Sequence, residues 1–327
     1  MPSRKAVAHR LLAVLCGLAM LAGSNARAAD KVVGGTVGSA SALLWPYYIG
    51  KEKGFFTAAD IDLDMIFIPS SAAVLQQLTA GALDMAVGTG LVDPIRAIEK
   101  GAPVAIVRID GQVPPYSLLA KKEIKSLKEL KGKTLSVGGP ADITRIYVER
   151  MLAPNGVQPG QFDMVFAGAT SARFAALQSG AVDAAIVLPP FTFRAEGAGF
   201  NNLGQVMDYV GKTLPFAGHA VGTAWAAGHK PIVRRFTEAY SKSIAFFYDP
   251  ANRAESVEIL IKGVNASRED VEASYDFFRK IEFFEPTGKV SRARLGGLLS
   301  VLKGMGEVPD NMTVERLTLA GVTELTD

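Results

Sequence analysis

Two stretches about a hundred residues apart read almost alike. Residues 78–90 are LTAGALDMAVGTG, and residues 177–190 are LQSGAVDAAIVLPP. Each runs Leu-x-x-Gly-Ala-aliphatic-Asp, then a short apolar run, then a break. A glycine after a helix supplies the left-handed turn that ends it, and an apolar run of this length suits a buried strand. A chain that writes one helix-to-strand turn twice at such a distance is built from two halves of one architecture. Two copies are too few for a solenoid.

The flanking sequence agrees. In the first half, strands are expected at 31–37, 61–68, 82–87 and 104–109, with helices at 42–53, 72–79 and 91–100. In the second half, strands are expected at 134–137, 164–167 and 184–188, with helices at 141–152 and 172–178. Strands alternating with helices predict βαβ units, hence parallel sheets with helices on their faces. From residue 231 the pattern turns helical, and Ser267 to Asp270 fits a capping-box start. The segment 111–116 and a strand expected at 221–225 predict two crossings between the halves, which make a hinge. The expected division is lobe one at 29–113 with 217–327, and lobe two at 114–216.

The first residues do not belong to this pattern. Arg4, Lys5 and Arg10 precede an apolar run at 11–23, and Ala26-Arg27-Ala28 follows. Basic, apolar, then small residues predict a cleaved signal peptide over 1–28, because the apolar run is too short to span a bilayer. Its four basic residues, Arg4, Lys5, Arg10 and Arg27, take the formal charge from +3 to −1 when they leave. No basic excess then argues for nucleic acid. The single cysteine, Cys16, leaves as well, so no disulfide, thiolate nucleophile or cysteine-ligated metal is expected. With 49% hydrophobic and 20% charged residues, the rest can bury a large core. A soluble, exported protein is the expectation.

Several blocks together carry a resemblance. They are YYIGKEKGFF at 47–56, QLTAGALDMA at 77–86, GAPVAIV at 101–107 and FEPTGKVS at 284–291. In this order they resemble the periplasmic substrate-binding proteins of ABC importers in the nitrate, sulfonate and taurine class, which includes binders of thiamine-pyrimidine precursors. The resemblance covers nearly the whole chain after the leader. It implies a two-lobed α/β fold of the periplasmic binding protein type, with the helical C-terminal segment on lobe one. It also implies a small molecule clamped between the lobes, and delivery to an ABC permease and its ATPase at the inner membrane. A monomer without cofactor or metal is expected.

In open α/β sheets, ligands bind beyond the carboxyl ends of strands, where helix N-termini offer free N–H groups. That selects Ser39, Ser41, Ser71, Thr89 and Gly90 on lobe one. On lobe two it selects Asp142, Thr144, Pro190 and Phe191. Ser41, Ser71 and Asp142 have a plainer role open to them as helix caps, and Thr89 as part of a tight turn. Trp45 and Phe191 are candidate floors for an apolar ligand body, with core packing the alternative for Trp45. Arg145 could pair an anion, or equally Glu149 one turn on. Arg194 is a second candidate cation. His219 and His229 lack metal-ligand spacing. Asp84 and Asp183 sit at the strand entrances away from the cleft, where a carboxylate satisfying backbone N–H groups of the turn is expected rather than a catalytic pair.

The resulting expectation is a binding protein for a small organic anion, a sulfonate or carboxylate, with no catalytic residues. Two alternatives stand beside it: an enzyme related to pyrimidine-precursor synthesis on the same fold, and a binding protein that presents its ligand to a sensor.

Overall fold

The structure is a computed structural model that describes residues 28–211 and 214–327. The expected leader lies outside the described residues except for Ala28. Ten strands build two five-stranded sheets. They are β1 (Asp30–Val37), β2 (Ile61–Ile68), β3 (Met85–Gly90), β4 (Val104–Gly111), β5 (Ser117–Ala120), β6 (Thr134–Val137), β7 (Asp163–Phe166), β8 (Ala184–Val187), β9 (Asn201–Gln205) and β10 (Ala217–Gly222).

The first sheet has the order β2-β1-β3-β10-β4, and the second β7-β6-β8-β5-β9. The two match position by position. β1 pairs parallel with β2 and β3, and β6 pairs parallel with β7 and β8. The fourth strand of each sheet is antiparallel to both neighbours. That fourth strand is also the one that arrives from the other half of the chain. The chain crosses between sheets twice, between Gly111 and Ser117 and between Gln205 and Ala217. The duplication foreseen from the repeat is therefore a duplication of whole sheets.

Three expectations need correction. The returning strand is Ala217–Gly222, not 221–225, and Thr223 already opens the helix Thr223–Tyr248. Small residues let this strand slot between β3 and β4: a Cβ on Gly218 would lie 2.2 Å from the Arg108 carbonyl oxygen. β3 starts later than expected and continues through Gly88-Thr89-Gly90, which looked like a break. β5 and β9 were not foreseen at all.

The C-terminal helices cover the first sheet. Trp45, fully buried, joins them to the helix Trp45–Glu52: its ring lies edge-on to Phe247 at 5.1 Å and to Tyr275 at 5.6 Å, and its Nε1 donates to the Ser256 carbonyl at 2.7 Å. Ser267 caps the helix Arg268–Lys280 by accepting from the Asp270 N–H, as the capping-box start predicts. The helix Thr223–Tyr248 kinks at His229, two residues before Pro231, whose ring cannot follow a regular turn.

Candidate functional site

Apart from the antiparallel β5 and β10, the strands of each sheet point their carboxyl ends at the other sheet, and a cleft of about 800 Å³, its open mouth included, lies between them. Lobe one contributes the end of β1, the turn through Ser41, the helix start at Ser70 and Ser71, and Gly88-Thr89-Gly90. Lobe two contributes Tyr116, Asp142, the segment Gly168 to Ser171, and Arg173.

Among the described residues that line this cleft, Arg173 is the cation. It is only 3% exposed. It lies in the first turn of the helix Thr170–Gln178, whose start carries no side-chain cap. Its Nε donates to the Ile186 carbonyl at 2.8 Å, Nη1 to the Gly168 carbonyl at 2.6 Å, and Nη2 to Thr170 Oγ1 at 2.7 Å. These bonds fix the guanidinium plane while leaving N–H capacity, since a guanidinium has five donors. Among the described residues no carboxylate stands within ion-pair distance of Arg173. A buried charge without a counter-ion is costly, and the three hydrogen bonds to oxygen atoms offset part of that cost. The uncapped helix N-terminus adds free N–H groups and a partial positive charge at the same place.

Tyr116 links this end of the cleft to the acidic side. Its ring lies 5.7 Å from the Arg173 guanidinium carbon. Burial pushes its phenol up to about 12, with Arg173 pulling down and Asp142 pushing up. Asp142 caps the helix Ile143–Leu152 through the Thr144 N–H at 2.9 Å. Asp93 is held above the usual carboxylate range, chiefly by burial; its hydrogen bond with Ser71 opposes the shift and the Asp142 charge adds to it.

The selected residues divide. Ser41, Ser71, Thr89, Gly90 and Asp142 line the cleft. Ser41 is also a cap, accepting from the Leu43 N–H at 3.2 Å. At the helix start beside Ser71 the capping hydroxyl is that of Ser70, which accepts from the Ala73 N–H at 3.2 Å. Ser39, Trp45, Thr144, Arg145, Pro190 and Phe191 do not line the cleft. Ser39 lies outside it, its carbonyl accepting from the Tyr48 hydroxyl at 2.9 Å. Trp45 belongs to the helical core. Thr144 is turned into the cap, where its Oγ1 accepts from the Gly138 N–H at 2.8 Å. Arg145 pairs with Glu149 at 2.8 Å, the plainer of its two roles. The Pro189–Pro190 bond is cis, and the Pro189 carbonyl meets the Ala42 N–H of lobe one at 3.1 Å. The turn then carries Phe191 away into a separate apolar cluster against Phe174, 5.4 Å between ring centres. Arg194 pairs with Asp270 at 3.2 Å across the lobes.

Arg173, Tyr116 and Asp93 were missed. Arg173 had a readable signal: in TSARFAALQ it shares the helix face of Thr170, Phe174 and Leu177, and an arginine on an apolar stripe asks for a buried partner.

Comparison with known proteins agrees with this architecture. The family model described as NMT1/THI5 like matches residues 43–254. No curated protein matches the chain by sequence. Among solved structures, the alkanesulfonate-binding protein of Xanthomonas axonopodis pv. citri, bound to MOPS, is 16% identical with a TM-score of 0.71, over 90% of this chain and 98% of that one. The periplasmic nitrate-binding protein of Synechocystis PCC 6803 is 16% identical with a TM-score of 0.69, over 86% and 83%. A desulfurization enzyme is also similar, 13% identical with a TM-score of 0.66 over 90% and 97%. At such identities the likeness is one of fold, and the fold is that of the periplasmic binding proteins. The family model spans well over half of the sequence, and the chain belongs to the NMT1/THI5-like family.

Proposed function

We propose that this chain is an exported solute-binding protein that closes on a small organic anion, a sulfonate or a carboxylate, and delivers it to an ABC-type importer. The observation that carries the reading is Arg173: a buried guanidinium at the cleft with no carboxylate in ion-pair reach among the described residues, beside an uncapped helix start. An anion there would receive charge-assisted hydrogen bonds that water does not compete for. Hydroxyls of Ser41, Ser71 and Thr89 face the same space from lobe one and suit the remaining oxygen atoms of such a group. The proteins of similar fold support the anion: one binds an alkanesulfonate and another nitrate. Among the described residues the cleft lining holds hydroxyls, carboxylates and an arginine but no histidine, cysteine or lysine, which favours binding without turnover.

Native mass spectrometry of protein purified without denaturation should reveal a retained anion. Calorimetry against alkane- and arylsulfonates, short carboxylates and nitrate should then find micromolar or tighter binding for one class. Absence of any retained ligand, together with no binding across that panel, would sink the reading.

A further inference from the structure

Asp93 and Asp142 put two carboxyl groups into the wall of a cleft whose lining holds one guanidinium, Arg173, among the described residues. Like charges gathered out of water disfavour one another's ionised form. A bound anion adds a third negative charge. The cleft that suits an anion at Arg173 therefore resists it from the acidic side, unless one of the two carboxyl groups gives up its charge.

The surroundings single out Asp93. Asp142 is committed to its own helix start: its Oδ1 accepts from the Thr144 N–H at 2.9 Å and from Thr144 Oγ1 at 2.5 Å. Asp93 lies in the first turn of the helix Val92–Glu99, and its side chain is only 16% exposed. From the helix Ser71–Thr79 one hydroxyl, that of Ser71, reaches it. The Arg96 guanidinium stands 4.0 Å away, but Glu307 and the Ala141 carbonyl already hold it. Arg145 is turned to Glu149 and Glu307. On β4, Arg108 and Asp110 face Tyr240 on the other side of the sheet. Glu315 and Arg316, on the short helix packed against Val92–Glu99, are exposed, and Glu315 pairs with Arg292. Burial and the Asp142 charge push the Asp93 carboxyl up, and Ser71 and Arg96 do not cancel them.

Closure creates these conditions. Asp93 belongs to lobe one and Asp142 to lobe two. Opening parts them and returns Asp93 to water. Closing removes that water and brings the Asp142 charge near. A group that holds its proton more firmly in one state takes up a proton as that state forms.

We propose that solute capture by this cleft is proton-coupled: Asp93 takes a proton from solvent as the lobes close on the anion, and returns it when they open. The neutral carboxyl has an O–H to donate, so the acidic side of the cleft turns from a repelling wall into a hydrogen-bonding one. Asp93 is thereby a specificity-determining residue, which admits an anion only together with a proton. This coupling rests on the anion-binding reading of the cleft. Its sign is fixed. The carboxyl holds its proton more firmly in the closed, loaded state than in the open one. Affinity therefore rises as pH falls through the closed-state value, and levels off below the open-state value, about 3.9 for an exposed aspartate.

The test uses the full mature chain and four anions that stay ionised from pH 8 to pH 5: ethanesulfonate, benzenesulfonate, nitrate and pyruvate. For whichever binds, affinity should rise as pH falls across that range, by up to about tenfold per unit for one linked proton. Calorimetry in buffers of different ionisation enthalpy should show net proton uptake with the anion. Tyr116, pushed up to about 12, keeps its proton throughout and supplies none of this. Asp93→Asn keeps the shape, cannot titrate and carries a donor of its own. Its proton uptake should vanish, and at pH 8 it should bind the anion more tightly than wild type, where a merely structural role predicts a loss. Wild-type binding without proton uptake overturns the proposal, as does equal uptake in wild type and Asp93→Asn. Tighter binding of 2-aminoethanesulfonate than of ethanesulfonate, again without uptake, would give Asp93 to a ligand ammonium and also overturn it. Failure of the anion reading is seen separately, as a wild-type chain that binds none of these anions at any pH.

Discussion

The guanidinium of Arg96, on lobe one, donates to the carbonyl oxygen of Ala141, on lobe two. Glu307 grips Arg96 from behind with both carboxylate oxygens, at 3.0 Å to Nε and 2.9 Å to Nη2. Glu307 also stands 3.7 Å from Arg145 of lobe two. Ala141 immediately precedes the capping Asp142, so this contact fixes the cleft wall in its closed position. Arg96→Ala should leave each lobe intact and loosen the closed state. A charge-assisted hydrogen bond of about 1.5 kcal/mol corresponds to roughly a tenfold weaker ligand affinity, appearing mainly as faster release. Stopped-flow displacement of the bound anion would measure it, and an unchanged release rate would remove the latch.

Arg173 and Arg145 make opposite predictions. Arg173→Gln removes the one buried cation lining the cleft among the described residues and should cost about 2–3 kcal/mol of anion binding, a loss of roughly 30- to 150-fold. Arg173→Lys should recover only part of it, because an ammonium cannot reproduce the fork that reaches Ile186, Gly168 and Thr170 together. Arg145→Ala should leave affinity within about threefold of wild type, since it breaks only half-exposed pairs with Glu149 and Glu307. Calorimetry on the three variants decides it. Equal losses for Arg173→Gln and Arg145→Ala would contradict the assignment.

The two sheets were legible because alternation of strand and helix is written locally. What was not legible came from elsewhere in the chain. β5 is short and enters its sheet from the other lobe to pair with β8 and β9, so nothing next to β5 or β9 announces a pairing, while the return of β10 was readable and only its bounds were displaced. Trp45 and Phe191 sit beside strand ends, as site residues would, but a ring that close to the cleft can turn either way. Both turn into apolar clusters that form from distant segments, Phe247 and Tyr275 for one and Phe174 for the other. Arg145 and Arg173 differ in the same manner. Each follows a helix start by a few residues, and only the strand packed behind Arg173 commits it to the interior.

The opening repeat gains a definite physical role. Asp84 accepts from the Val33 N–H at 2.8 Å and Asp183 from the Thr134 N–H at 3.0 Å. The acceptor serves the neighbouring parallel strand, not the turn after the glycine as the sequence alone suggested. Asp84 therefore pins the middle of β1, and Asp183 the start of β6, to the strand that follows each aspartate. Asp84→Ala should cost about 1–2 kcal/mol by stranding a partly buried N–H. Asp183→Ala should cost a similar amount at neutral pH and also lose Lys121, 2.8 Å away. The Lys121 contact, and then the Thr134 N–H, hold the Asp183 carboxyl below its ordinary value. A lowered carboxyl stabilises above the unfolded value near 3.9 and loses that contribution as pH falls through the folded value. The penalty of Asp183→Ala should accordingly shrink in acid. Denaturant titrations at pH 7 and pH 3.5 would test it, and a penalty that does not change with pH would count against the ion pair.

His219 gives the fold a second acid response, away from the cleft. It lies buried on β10, with Nε2 3.6 Å from Asp110 Oδ2 and its ring 4.4 Å from that of Tyr240. Tyr240 donates to the same carboxylate at 3.1 Å, and Arg108 Nε reaches its other oxygen at 3.4 Å. Burial lowers the His219 pKa; Asp110 opposes the shift and the Arg108 charge adds to it. The imidazole therefore binds its proton less readily in the folded chain than in the unfolded one, which takes up a proton below about 6.5. Stability rises with pH wherever the unfolded state holds more protons, so this contribution is complete above about 6.5 and is lost as pH falls below it. The limiting slope for one such group is about 1.4 kcal/mol per pH unit. His219→Gln cannot take up that proton, so between pH 5 and pH 6.5 its stability should fall less steeply than wild type. The crossing strand that carries His219 leads directly from the hinge, so loss of its packing in acid should also free lobe movement. Denaturant midpoints of the two proteins across that range measure the difference in slope, and parallel curves would show that His219 does not set it.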